Sequence, residues 1–368
     1  MAVFNPNVGS HLVQPMFLGD EVSTARYELV KHPWIDKLTD KQLAFFWRPE
    51  EVDLGKDRID FSKLSEAEQF MFIANLKYQT LLDSVQGRGV NLALLPIVSL
   101  PELETFIETW GFSETIHSRS YTHIIRNVFS NPTEILDTIT ITPEIIERAA
   151  AVTVEYDKLI QLNSHYVLKG NQHNSAQERK EHMSQIYRTL ASINILEAIR
   201  FYVSFACSWS FNERKLMEGN AKIIKFIARD EANHMAASQL ILKEIMSGNE
   251  GVEWQHIAEL NKEYVLDMFD QAVIQEKDWA NYLFSQGSII GLNAKILSQF
   301  IEYIANVRLG ALGLPKRYDT KTNPLPWVNA YLSSDTVQVA PQEVELSSYL
   351  TGAVDTSLNM SALSDFKL

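Results

Sequence analysis

Apolar residues recur at i, i+3, i+4 and i+7 along most of the chain between about Ser65 and Leu309, and few stretches alternate as a strand would. The pattern predicts helices over roughly 66–87, 102–129, 143–169, 183–209, 213–246, 252–285 and 287–310. End signals support several of them. Pro101-Glu102 and Pro143-Glu144 suit first helical turns, Asn131-Pro132 stops the second helix, and Ser247-Gly248-Asn249 stops the fifth. Residues 168–182, with Gly170, Asn171, Asn174 and a cluster of charges, read as a surface loop. The first 30 residues and 311–332, with Gly313, Pro315, Pro324 and Pro326, read as irregular segments whose aromatics pack onto the bundle. Past Ser333 the helical period is lost among Ser, Thr, Val and acidic residues. The expected organisation is a helical domain over 1–332 with an N-terminal extension, and a flexible tail over 333–368.

Composition narrows the class. The chain has 368 residues with 33 Lys plus Arg against 46 Asp plus Glu, a net charge of -13 that argues against a nucleic-acid binder. Its hydrophobic content of 46% supports a sizeable core. One cysteine, Cys207, excludes an intrachain disulfide. No run of about 18 apolar residues marks a membrane span, and the N-terminus lacks the layout of a signal peptide. These features predict a soluble protein of the cytoplasm.

The informative side chains are acids and histidines on faces that should be apolar. In the helix 102–129, Ile107, Trp110, Ile124, Ile125 and Val128 share a stripe, and Glu114, His117 and Tyr121 fall inside it. In 213–246, Ile223, Ile224, Ile227, Ile241 and Leu242 form the stripe, with Glu231 and His234 in its middle. A buried carboxylate costs several kcal/mol to desolvate, so it must be paired, protonated or bound to a cation. Asp83 shares a face with Phe72, Leu76 and Gln79, and Glu197 with Leu190, Ile193 and Phe201. Asp83 precedes Glu114 by 31 residues and Glu197 precedes Glu231 by 34, so a unit repeats: one carboxylate, then Glu-x-x-His on a later helix. Two such units face to face give an all-α, ferritin-like bundle with additional helices and a core of four carboxylates and two imidazoles, the arrangement of di-iron carboxylate proteins. A third Glu-x-x-His, Glu253 and His256, differs. The apolar side there runs through Trp254, Ile257, Tyr264 and Met268, which leaves His256 off-centre in a solvated first turn. The histidines at 11, 32, 123, 165, 173 and 182 have no such pairing and read as ordinary surface or interhelix residues.

Oxygen-rich coordination without thiolate suits iron or manganese better than zinc or copper. Four carboxylates carry a charge of about -4, which matches two divalent ions; two ferric ions with an oxide bridge keep that balance. Tyr121 lies one turn after His117, whereas the second unit has Ser238 at the corresponding place. A ferrous pair that reacts with dioxygen yields a strong oxidant, and one-electron oxidation of Tyr121 with proton loss leaves a neutral tyrosyl radical. Its survival needs a dry apolar pocket, for which Phe201, Phe205 and Ile227 are available.

Several runs resemble the small (beta) subunit of aerobic class Ia ribonucleotide reductase: Trp47-Arg48-Pro49-Glu50-Glu51-Val52, Asn75 to Ser84, Phe112 to Tyr121, Leu196 to Tyr202, Ala228 to Ala232, and Val337 to Glu343 continuing to Tyr349. The resemblance covers nearly the whole chain. It implies a homodimer in which Asp83, Glu114, His117, Glu197, Glu231 and His234 bind two irons per chain and Tyr121 carries the stable radical. It further implies a radical relay through His117, Asp230 and Trp47 to Tyr349, and a C-terminus that docks on the large catalytic subunit, which suits Phe366 and Leu368. One departure is the loop 168–182, which looks shorter than in the best-known members. The residues support this division of labour independently. Deoxyribonucleotide formation needs a reducing thiol pair, and one cysteine cannot supply it; Cys207, among Phe205, Ala206 and Trp209, reads as a buried structural thiol. No Gly-x-x-x-x-Gly-Lys phosphate loop is present, so substrate is expected on a partner chain. The rivals are a desaturase or hydroxylase with its own substrate, and an iron-storage bundle. Storage leaves the helices 252–285 and 287–310 without a purpose.

Overall fold

The computed structural model describes residues 5–332; the expected tail, with Tyr349, Phe366 and Leu368, lies outside the described residues. The chain builds twelve α-helices in the described part: α1 Pro33–Ala44, α2 Gly55–Phe61, α3 Glu66–Leu94, α4 Pro101–Val128, α5 Pro132–Asp137, α6 Pro143–Leu168, α7 Ala176–Ile195, α8 Phe201–Asn212, α9 Glu218–Ser247, α10 Val252–Leu283, α11 Ala294–Ala311 and α12 Val328–Leu332. Among the described residues the only β pairings are the isolated bridges Phe17–Val98 and Ile289–Leu292. The all-α, ferritin-like expectation holds.

Local chemistry sets the helix ends. Ser65 caps α3 in a reciprocal box with Glu68, and prolines open α4 and α6. Gly248, at φ 84°, ends α9 in the left-handed conformation that glycine adopts without strain. Three predicted starts move. Residues 176–182, expected in a loop, are helical, because Ser175 caps α7 by accepting from the Glu178 N–H at 3.2 Å. The predicted start at 287 shifts to Ala294, where Asn293 accepts from the Ile296 N–H at 3.0 Å. The predicted start at 213 shifts to Glu218, and Asp57 of α2 accepts there from the N–H groups of Gly219 and Asn220 at 3.0 and 2.6 Å.

The predicted helix 183–209 contains a defect. Between α7 and α8, residues Leu196–Arg200 form a wide π-turn, and Glu197 sits inside it. The rod 176–212 is long and apolar enough by composition to cross a membrane, contrary to the reading that no such stretch exists, but its most apolar window is wholly buried in the protein. Helices α3, α4, α9 and the α7–α8 rod form the central bundle; α1, α6, α10 and α11 pack around it. The first segment is irregular as expected, with Met16 and Phe17 buried.

Candidate metal centre

Each central helix brings its acid inward. Asp83 comes from α3, Glu114 and His117 from α4, Glu197 from the π-turn, and Glu231 and His234 from α9; all six are fully buried. Close approach of α3 and α4 rests on Gly87, where a Cβ would lie 2.9 Å from Cβ of Glu114. The His117 Nδ1 lies 3.0 Å from Glu231 Oε1, 3.3 Å from Glu114 Oε2 and 3.9 Å from Asp83 Oδ2. On the other side, His234 Nδ1 lies 3.0 Å from Glu231 Oε2 and 3.1 Å from Glu114 Oε1. Two sets of ligand atoms, each within 4.8 Å of one another, result: Asp83, Glu114, His117 and Glu231, and Glu114, Glu197, Glu231 and His234. Glu114 and Glu231 belong to both sets, one oxygen toward each histidine. The cage therefore has two adjacent places where a cation could be held, with Glu114 and Glu231 within reach of both.

The electrostatics ask for cations. Burial, and then the charge of Glu114, pushes Asp83 far above the carboxylate range and Glu231 up to about 8. Glu197 rises far above it too, through burial and the charge of Glu231. Both oxygens of Asp83 and Oε2 of Glu197 are buried without a hydrogen-bond partner. Such orphaned acceptors are costly in a finished core, and two hard cations would satisfy them together with the excess negative charge. The donor set fits a carboxylate-bridged metal pair.

A surrounding layer fixes the ligands. The indole N–H of Trp110 donates to Glu114 Oε1 at 2.9 Å, and its ring stacks on His234 with centroids 5.0 Å apart. Gln86 Nε2 donates to Glu197 Oε1, while Gln86 Oε1 accepts from the Tyr156 hydroxyl at 2.6 Å. His117 Nε2 lies 3.1 Å from Asp230 Oδ2, an acceptor; donating there leaves the Nδ1 lone pair for the cage. The same Asp230 oxygen accepts from the Trp47 indole N–H at 2.8 Å. Trp47, Asp230 and His117 thus form one buried hydrogen-bonded chain.

Tyr121 is fully buried, and its hydroxyl faces Asp83 without a hydrogen bond of good geometry. Burial, then the charges of Asp83 and Glu231, hold its pKa far above the usual phenol value, so it stays protonated. Phe201, Phe205 and Ile227 are fully buried as expected. Ser238, Tyr121's counterpart, is tied up with Asn194 and the Met235 carbonyl. His256 is exposed, as read, and Glu253 pairs with Arg179. His182, placed by sequence in the loop, is instead buried on α7. Cys207 is buried, which pushes its thiol pKa far up. Sequence reading missed Gln86 and Tyr156. Gln86 lies three residues after Asp83 on the same inward stripe, a readable sign; Tyr156 comes from α6 and carries none.

The family model "Ribonucleotide reductase, small chain" matches residues 26–324. The chain is 54% identical over 371 residues to the ribonucleoside-diphosphate reductase subunit beta of Haemophilus influenzae, covering 99% of both chains. It is 52% identical to the ribonucleoside-diphosphate reductase 1 subunit beta of Escherichia coli O157:H7, again over 99% of both. Among solved structures, the ribonucleotide reductase R2 subunit from Clostridium botulinum superposes with a TM-score of 0.77 at 25% identity, over 90% of this chain and 98% of that one. The dimanganese(II)-NrdF of Streptococcus sanguinis shares the fold, with a TM-score of 0.67 at 22% identity over 84% of this chain and 99% of that one. Small chains of this family work with a large subunit and are typically dimeric. The chain belongs to the ribonucleotide reductase small chains, the radical-generating subunits of ribonucleoside-diphosphate reductase.

Proposed function

We propose that Asp83, Glu114, His117, Glu197, Glu231 and His234 hold two iron ions, and that Tyr121 is the residue oxidised to the radical. A carboxylate and imidazole donor set without thiolate favours iron, with manganese as the second loading. When bound, the metal pair would supply two of the four electrons that take dioxygen to the water level, with one more from a phenol and the fourth from a one-electron reductant outside the protein. Tyr121 gives up the phenol electron together with its phenolic proton, which the reduction of dioxygen to the water level consumes. The product is a neutral phenoxyl radical in a water-free pocket. Electron return runs from Trp47 toward His117, with Asp230 Oδ2 accepting the indole N–H along the way. The relay continues to Tyr349 of the tail, whose end, with Phe366 and Leu368, docks on the large subunit. Substrate and its reducing thiols belong to that partner, because Cys207 is a lone buried thiol. The active form is a homodimer in the cytoplasm, with residues 1–332 as the helical domain and 333–368 as the docking tail.

One observation carries the reading: a fully buried phenol stands one turn beyond His117 on only one of the two Glu-x-x-His helices, beside orphaned carboxylate oxygens. Reconstitution with ferrous iron and dioxygen is expected to give a tyrosyl EPR signal that Tyr121→Phe removes. A signal of full strength in that variant rejects the assignment. Tyr349→Phe is expected to keep metal and radical yet lose turnover with the large subunit, and normal turnover would remove Tyr349 from the relay.

A further inference from the structure

Among the described residues, three buried phenols are acted on by carboxylates of the cage, and the reading above oxidises one of them. Tyr121 of α4 faces Asp83. Tyr156 of α6 feels Glu197 and Glu114, and its hydroxyl donates to the Gln86 side-chain carbonyl at 2.6 Å. Tyr202 of α8 feels Glu231 and Glu197, and its ring packs on Phe205 with centroids 5.9 Å apart. Arg308 of α11 stands against Tyr202. It is fully buried, and its Cζ lies 5.0 Å from the centroid of the Tyr202 ring. Its Nε donates to the Ala198 carbonyl of the π-turn at 3.4 Å, while Nη1 and Nη2 have no hydrogen-bond partner. Burial lowers its pKa, yet a guanidinium keeps its charge inside a protein; the groups that favour that charge are the phenols of Tyr202 and Tyr303, not a carboxylate. An unpaired cation in a core is costly, so packing alone does not account for it.

We propose that Arg308 keeps Tyr202 reduced, so that oxidation is confined to Tyr121. The inference deepens, and rests on, the reading of Tyr121 as the radical site. A phenol gives up an electron readily when its proton leaves with it. Oxidation of Tyr202, like that of Tyr121, would deliver one electron and one proton to the reduction of dioxygen. Tyr121 faces a carboxylate of the cage, the side on which protons are consumed. Tyr202 faces a guanidinium, which carries donors alone and accepts no proton. If the proton stays, the oxidised ring places a positive charge 5.0 Å from a second one, and no water screens the repulsion. The neutral ring, by contrast, is attracted to the cation over its face. Both effects make Tyr202 harder to oxidise. Tyr156 is held back differently, because the group that accepts its O–H is an amide carbonyl, a weak base. Arg308 is thus a specificity-determining residue that acts through Tyr202.

The test is EPR of the full chain after reconstitution with ferrous iron and dioxygen. Tyr121→Phe is expected to stay free of a tyrosyl signal while Arg308 is in place. Tyr121→Phe with Arg308→Met should gain one, and adding Tyr202→Phe should remove it. Arg308→Gln keeps a donor for the Ala198 carbonyl and should release the same signal if Arg308→Met impairs folding. A folded double variant that stays silent, or a signal that survives Tyr202→Phe, overturns the proposal. A tyrosyl signal in Tyr121→Phe alone is resolved by adding Tyr202→Phe. Its loss would mean that Tyr202 is oxidised beside the intact guanidinium, which overturns the proposal; its persistence would reject Tyr121 as the radical site while Tyr202 stays silent. Manganese(II) binding, measured by calorimetry, needs no radical. Affinity should be kept or raised in Arg308→Met, since a cation leaves the neighbourhood of the cage. A fall would make Arg308 a prop for the π-turn that carries Glu197 and overturn its role at Tyr202.

Discussion

Glu197 is steered from outside the cage by a single amide, and removing that amide gives a sharp test. Gln86 is fully buried; it donates to Glu197 and accepts from Tyr156. Burial, then the charges of Glu197 and Glu114, keep the Tyr156 hydroxyl protonated, so it can only donate toward Gln86 and thereby fixes which way the amide points. Gln86→Leu keeps the volume and deletes both bonds. Each stranded buried group costs about 1–3 kcal/mol, so the metal-free protein is expected to lose roughly 2–5 kcal/mol in urea unfolding. Tyr156→Phe alone should cost about 1–2 kcal/mol, because it leaves the Gln86 carbonyl unpaired. In the Gln86→Leu background the same change removes a stranded hydroxyl and should cost nothing or stabilise. The double-mutant cycle should therefore show a coupling of about 1–2 kcal/mol. Manganese(II) affinity, measured by calorimetry, should fall about 10–100-fold in Gln86→Leu. Additivity within about 0.5 kcal/mol, together with unchanged metal affinity, would refute the role assigned to this amide.

Gly87→Ala would ordinarily stabilise a helix by about 0.5–1 kcal/mol. Here the new methyl meets Glu114 at 2.9 Å, so a net loss of about 1–3 kcal/mol and weaker manganese(II) binding are expected; a raised Tm with normal binding would contradict the packing. His182 gives a pH dependence. Burial, then His173 and Arg179, lower its pKa to about 4 from 6.5, while Nε2 donates to Asn163 Oδ1 at 2.8 Å and Nδ1 faces His173 at 3.1 Å. The folded state thus favours neutral His182, and stability is fully present above about pH 6.5 and lost as pH falls toward about 4, roughly 3 kcal/mol in all. Urea unfolding at several pH values should show this loss reduced in His182→Gln, and identical pH slopes in the two proteins would refute it.

Much of this was legible because helical periodicity is local. Stripes on α4 and α9 placed Glu114, His117, Glu231 and His234 inside before any fold was known, and the structure gathers all six expected ligands. Helices α1, α2, α5 and α12 escaped notice because they are short and take their stability from the surfaces they lie on. The start of α7 was misread for another reason: charges around 176–182 suggested a loop, although Ser175 and Glu178 spell a capping signal. What sequence could not give is contact between distant segments. Trp47 reaches Asp230 across 183 residues, and Gln86 reaches Glu197 across 111. The trio of His117, Asp230 and Trp47 entered through family resemblance, not through spacing.

The π-turn has a consequence for the register of the rod that contains it. One extra residue in a turn rotates everything downstream by about 100°. The face of 201–212 is therefore turned relative to that of 176–195, and Glu197 sits inside the turn where the change occurs. Just beyond it, Arg200 swings to the opposite flank and meets Glu276 of α10 at 2.9 Å. An uninterrupted helix could aim one of these side chains correctly but not both. Excising a single residue between 196 and 200 would make the rod more regular while unhitching the cage from the outer helices, so the irregularity is what lets one rod serve two masters.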